Sequence, residues 1–328
     1  AASSARANAL PVTEPPTATP TPTTAPAPTP NTGYFGGGFV PTFSTMDKVT
    51  YASDTTAAVP GAALSVARTG LAATGNSTHG YFGGGNPGPL STMDKVTYAS
   101  DTTAVVPGAA LSGARRYMGA TGNSTHGYFG GGFTSSDVST MDKVTYASDT
   151  TAQVPGAALS VARRSAGATG NSTHGYFGGG TPGPKSTMDK LTYASDTTAQ
   201  VPGAALSVAR KRLAATGNST HGYFGGGGPS PVSTMDKVTY ASDTTAVVPG
   251  AALSLARYGV GATGNSTHGY FGGGRSPGVV STMDKLTYAS DTTAVVPGAA
   301  LSAARQYLAA TGARANGASD VSAVPVII

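Results

Sequence analysis

The eleven residues GNSTHGYFGGG recur five times, starting at Gly75, Gly122, Gly170, Gly217 and Gly264, and their second half occurs once more from Gly33. They belong to a longer period. Aligned on STMDK, six copies place methionines at Met46, Met93, Met141, Met188, Met235 and Met283, 47 or 48 residues apart. Such a chain repeats one supersecondary unit. A single unit cannot bury its own apolar faces, so the units must pack on one another.

The second copy shows what a unit contains. GLAATG reads as a short strand and NST as a turn, because Asn and Ser bond their own backbone. HGYFGGG is a strand ending in glycines, and STMDKVTYA alternates and carries Val, Thr and Tyr, as strands do. SDTT is read as a turn and AVVPGAALS as a weaker fourth strand, which its proline confines to an edge. Four short antiparallel strands in fewer than 50 residues is the pattern of a propeller blade. The fold class expected is all-β, a six-bladed propeller. The ends of the repeat argue for a closed ring over an open stack. The first unit starts at GYFGGG and lacks its first strand, whereas the last runs on into QYLAATG, a first strand with no second. Pairing these two strands completes one shared blade and removes two exposed edges.

The aromatic-plus-diglycine strand YFGGG followed by DKVTYASDTTAVVPGAALSVAR resembles the kelch repeat, across all six units. That resemblance implies a propeller with the first strand innermost. The tryptophan common in kelch outer strands is missing, since the chain has none. Kelch-type oxidases use a copper-bound tyrosine cross-linked to cysteine, and there is no cysteine here either. The repeat also resembles those of extracellular and tail-fibre-like proteins of aquatic bacteria and their phages.

Within a unit, two segments vary. One separates the second and third strands (NPGPL, FTSSDV, RSPGVV), and the other follows the AR pair (TGL, RYM, RSA, KRL, YGV, QYL). In a four-stranded antiparallel blade both connections leave on the same face. That face also gains Arg116, Arg164, Lys185, Lys211, Arg212 and Arg275, a candidate surface for anions or a partner. The opposite face carries the uniform NST and SDTT turns.

Most of the remaining polar residues have a structural reading beside a functional one. His79, His126, His174, His221 and His268 sit beside turns at separate blades, too far apart to share a metal ion. The Asp–Lys pairs, such as Asp47–Lys48, point to opposite sides of the third strand and suit ion pairing between blades or support of a turn. Arg68, Arg115, Arg163, Arg210, Arg257 and Arg305 either ring the channel mouth, where they would attract anions, or cap backbone groups or pair with a neighbouring Asp. Asn76, Asn123, Asn171, Asn218 and Asn265 open N-x-[ST] sequons and are candidate glycosylation sites, although the turn alone accounts for them. GGG lacks the following Lys-Ser/Thr or helix of a phosphate loop. Sixfold repetition of like carboxylates also opposes the unlike pair that acid–base catalysis needs. No catalytic residue, metal or cofactor is expected.

Charged residues are only 11% of the chain and the net charge is +5, which does not suggest a nucleic-acid partner. No apolar run approaches the roughly 18 residues of a membrane helix, so membrane insertion is not expected. The initial alanine reads as the start of a processed, extracellular chain. Residues 1–32 form a Pro/Thr-rich arm, including Pro15, Pro16, Pro20 and Pro22, that favours polyproline II. The propeller spans 33–312. Residues 313–328 end in an apolar tail with Val324, Val326, Ile327 and Ile328, suited to packing on its own propeller or to adding a strand to a neighbour. Together these features suggest a non-enzymatic extracellular structural protein whose arms join copies of itself head to tail. The alternative is a binding module, phage-fibre-like or glycan-binding, that uses the variable basic face.

Overall fold

A computed structural model describes residues 31–312. They form six four-stranded antiparallel sheets, the blades of a closed propeller. Blade 2 is typical. From the axis outward it runs Ala72–Gly75, His79–Gly83, Met93–Thr97 and Thr102–Val105. Gly119–Gly122, Gly167–Gly170, Ala214–Gly217 and Gly261–Gly264 are the inner strands of blades 3 to 6. Each inner strand touches the next in a circle that returns to its start.

Blade 1 joins the two ends of the repeat. Its inner strand, Ala309–Gly312, pairs antiparallel with Thr32–Gly36 in the register Gly33↔Gly312 to Gly36↔Ala309. Met46–Thr50 and Thr55–Ala58 complete it. A further bridge, Phe39↔Gln306, extends the seam. The strand begins at Thr32, which pairs with Thr50.

One expected element lies elsewhere. The fourth strand is the Thr-Thr pair with the two residues after it, as in Thr102–Val105. The proline after it opens a 3-10 turn, Pro107–Ala109. Proline's fixed φ and missing N–H suit the first position of a helical turn better than a ladder. The tight turn before this strand is residues 98–101, two positions earlier than SDTT, and ends on Asp101 at φ 53°.

The core lies between blades. Consecutive Tyr and Phe residues point to opposite sheet faces. Tyr34 and Met46 of blade 1 therefore pack with Phe82, Val96 and Tyr98 of blade 2. Tyr34 stacks on Tyr98 at 5.0 Å, and the pattern continues around to Tyr270 on Tyr51 at 4.8 Å. Burying each such ring contributes roughly 1.5–3 kcal/mol.

Glycine in the second strand makes room for these rings. A Cβ on Gly127 would lie 2.5 Å from Thr74 Cγ2 and 2.7 Å from the Tyr146 hydroxyl, both inside van der Waals contact. Gly127→Ala is expected to destabilise the fold by about 1–3 kcal/mol through overpacking. Chemical denaturation would show this as a lower midpoint. An unchanged midpoint would mean that blades 2 and 3 separate without cost.

Candidate functional site

The repeated charges serve the scaffold. Arg68 and Asp94 are fully buried and meet at 2.8 Å. The guanidinium also donates to the carbonyls of Phe82 and Thr92, and Asp94 accepts from the Ser65 N–H. The other five arginines pair in the same way: Arg115 with Asp142, Arg163 with Asp189, Arg210 with Asp236, Arg257 with Asp284, and Arg305 with Asp47. None of the six rings the channel mouth: each is at most 2% exposed. Of the expected roles, pairing with Asp and capping of backbone carbonyls are the ones realised.

The adjacent lysines reach across to the neighbouring blade. Lys48 binds Asp101 at 2.8 Å, and the Tyr34 hydroxyl donates to the same carboxylate. Burial, and then the bond to Asp101, raise the Tyr34 phenol far above its usual value, so it stays a donor. Lys285 and Tyr270 grip Asp54 in the same way across the seam. With Arg164–Asp137, every carboxylate among the described residues is held in an ion pair.

The two variable segments meet on one face, as their connections require. Backbone bridges join Thr69 to Asn86, Arg116 to Phe133, Arg164 to Thr181, Lys211 to Gly228 and Tyr258 to Arg275. The three residues after each AR pair divide the work. The first makes that bridge. The third is apolar and turned inward: Leu71, Met118, Leu213, Val260 and Leu308 are at most 6% exposed, whereas Ala166 is half-buried. The middle residues are Gly70, Tyr117, Ser165, Arg212, Gly259 and Tyr307, and all six have φ between 55° and 69°.

These middle residues are hydrogen-bonded to one another in a circle. Tyr117 N–H donates to Gly70 C=O, Ser165 to Tyr117, Arg212 to Ser165, Gly259 to Arg212, Tyr307 to Gly259, and Gly70 to Tyr307, at 2.6–2.9 Å. A small cavity lined by residues from all six blades, with Leu71, Leu213 and Leu308 in its wall, marks this girdle as axial. A left-handed φ costs a non-glycine residue roughly 1–2 kcal/mol, so the bonds of the circle must offset four such penalties.

Above the girdle the blades differ. A cavity of about 170 Å³ is lined by Arg116, Arg164, Lys211 and Arg212, with the aromatic rings of Tyr117, Phe133 and Tyr307. Four of the six basic residues singled out in the sequence thus come together. Lys185 and Arg275 do not line it. Lys185 bridges to the Arg210 backbone, and Arg275 bonds the carbonyl of Pro277 in a small hairpin. The aromatic members and Ser165 were missed. The signal for Tyr117, Ser165 and Tyr307 was the middle position of the three-residue variable segment, and for Phe133 the first position of the other variable segment.

The opposite face holds the sequons and histidines. Asn76 Oδ1 accepts from the Thr78 N–H, the Thr78 hydroxyl and the His79 N–H, and the other four copies match. The amide nitrogen of Asn265 reaches Asn31 Oδ1 at 3.2 Å. His79 Nδ1 bonds the Thr78 hydroxyl. Among the described residues there is no group of three metal-ligating side chains.

These histidines make stability pH-dependent. Burial and the nearby Lys95 lower the His79 pKa from 6.5, against the pull of Asp149, and the other four histidines behave alike. Burial raises the pKa of Asp149, but the bonds from Lys95 and Tyr81 outweigh it and hold the carboxyl below 3.8. Both shifts are downward, so the unfolded chain binds more protons. The stabilisation is complete above the unfolded values and is lost as pH falls through the folded ones. The melting temperature should fall from about pH 7 to about pH 5 as the histidines charge, and again below about pH 4. A flat profile between pH 7 and 5 would contradict this.

The proline arm (Pro15, Pro16, Pro20, Pro22) and the apolar tail (Val324, Val326, Ile327, Ile328) lie outside the described residues. Fold and repeat together define a six-bladed β-propeller of near-identical blades. No family model matches the chain, and no curated protein matches it. The propeller is therefore established by the structure, while the kelch type stays a resemblance carried by the residues quoted above.

Proposed function

We propose that this protein is a non-enzymatic, extracellular structural subunit whose main partner is further copies of itself, joined head to tail. One observation carries the reading. The interior is repeated six times, every carboxylate among the described residues is engaged in an ion pair, and nearly all variation stands on one face. A disc of this kind offers two unlike faces, and unlike faces suit heterologous contacts that generate open filaments. The terminal segments would supply the joints: an extended proline-rich arm and an apolar β-branched tail able to add to a sheet edge. The exposed N-x-[ST] turns suit an extracellular setting and would carry glycans away from the variable face.

The test compares the full chain with one starting at residue 31. Electron microscopy and sedimentation should show filaments for the former and single discs of equal thermal stability for the latter. Discs at every concentration of the full chain, or the same polymer from the truncated one, would overturn the reading. A second reading, a glycan-binding or adhesin-like module, is favoured by the arginine- and aromatic-lined cavity alone. Binding of the single discs to a glycan array would support it.

A further inference from the structure

We propose that the loop-face cavity beside the axis binds one oxyanion group: a phosphate, a sulfate or a carboxylate. The proposal is independent of self-assembly, because the site lies within one chain.

The first argument is charge. Four cationic side chains line the cavity, and no carboxylate does. Only Arg164 has an acidic partner, Asp137 at 2.7 Å. Arg116 donates to the neutral Asn86 Oδ1 at 2.6 Å and keeps a buried Nε without a partner. Among the described residues, Lys211 and Arg212 have no ion-pair partner. Elsewhere among the described residues only Lys185 and Arg275 also lack an acidic partner, and they stand apart from the cavity, so the convergence of uncompensated charge is particular to this site.

The second argument is preorganisation. The Arg212 guanidinium lies over Tyr258 at 5.3 Å and Tyr307 at 5.6 Å. Phe133 is flanked by Arg116 at 5.2 Å and Arg164 at 4.5 Å. Stacking engages the faces of a guanidinium and leaves its in-plane N–H groups free, the geometry that grips an oxyanion. The backbone of Arg212 is fixed by the girdle on both sides, through its N–H to Ser165 and its C=O from Gly259. Little conformational entropy is left to lose on binding.

The third argument is size. At about 170 Å³ the cavity is well below the ~300–1,000 Å³ of drug-sized sites. It has room for one small anion, or for a single charged group at the end of a larger chain.

Calorimetric titration of the full chain at low salt with inorganic phosphate, inorganic sulfate and glucuronate tests this. At least one should bind, and binding should weaken as salt rises. Lys211→Gln and Arg212→Gln, made separately, should each weaken binding about tenfold with the melting temperature unchanged. Lys185→Gln and Arg275→Gln should leave it intact. Preference for glucuronate would assign the group to an acidic sugar, and preference for the inorganic ions to free anions; either supports the site. No binding by any probe would overturn it. So would equal losses in the Lys185 and Arg275 variants, because that pattern reports general surface charge.

Discussion

A chain ending at Arg305 is expected to lose its closed ring and to self-associate. It would lack Leu308 and Ala309, which are at most 6% exposed, and the whole inner strand of blade 1. Residues 33–36 would lose every partner on that side. Tyr98 would also lose the Gly312 carbonyl that its hydroxyl bonds at 3.1 Å. The bared edge belongs to a strand that is buried along its entire length, TGYFG, and such an edge is a template for pairing with another chain. Sedimentation should show oligomers where the chain ending at Gly312 keeps a closed propeller. A synthetic peptide of residues 306–312 should restore part of the lost stability. A monomer with an unaltered melting temperature would show that the ring does not depend on this strand.

Arg68→Met is expected to cost about 3–5 kcal/mol, because it leaves a buried, unpaired carboxylate. Asp94 is fully buried and would keep only the N–H of Ser65. The carbonyls of Phe82 and Thr92 would each lose a charged donor as well, Thr92 keeping the Gly84 N–H. Adding Asp94→Leu should recover part of the loss, since the uncompensated charge goes with it. Recovery should be incomplete, because the guanidinium's bonds to those carbonyls and the Ser65 N–H bond to the carboxylate stay lost. Chemical denaturation of the two single variants and the double variant measures the coupling. Strictly additive losses would show that the pair is not energetically linked.

The architecture was legible because every strand is written several times and the copies fail only at the ends. A first strand missing near Tyr34 and a surplus one near Tyr307 predicted the seam at Gly33↔Gly312. The fourth strand was harder to place. Thr102–Val105 is short and largely exposed, so it has no apolar alternation to mark it, and the proline after it drew the reading too far along the chain. For the lysines, links between blades and turn support were both open, and the structure has the links. For the buried arginines, several roles were open, because sequence shows which residues follow one another but not which carboxylate a guanidinium will meet across 26 positions, as Arg68 meets Asp94. The cavity was half legible. Its charges stood out against a uniform background. Tyr117, Ser165 and Tyr307 did not, because their role depends on a left-handed backbone that nothing in their side chains announces.

The girdle is made from peptide groups alone, so its hydrogen bonds do not depend on which side chains the six middle residues carry, although each non-glycine residue bears the cost of its left-handed φ. Glycine, tyrosine, serine and arginine all occupy it with the same φ and the same bonds. A lineage of such chains could therefore redraw the chemistry at the hub blade by blade, at a cost of about 1–2 kcal/mol for each glycine replaced. Each blade is in that sense an interchangeable cassette, and shuffling whole copies would produce new recognition surfaces on an unchanged wheel.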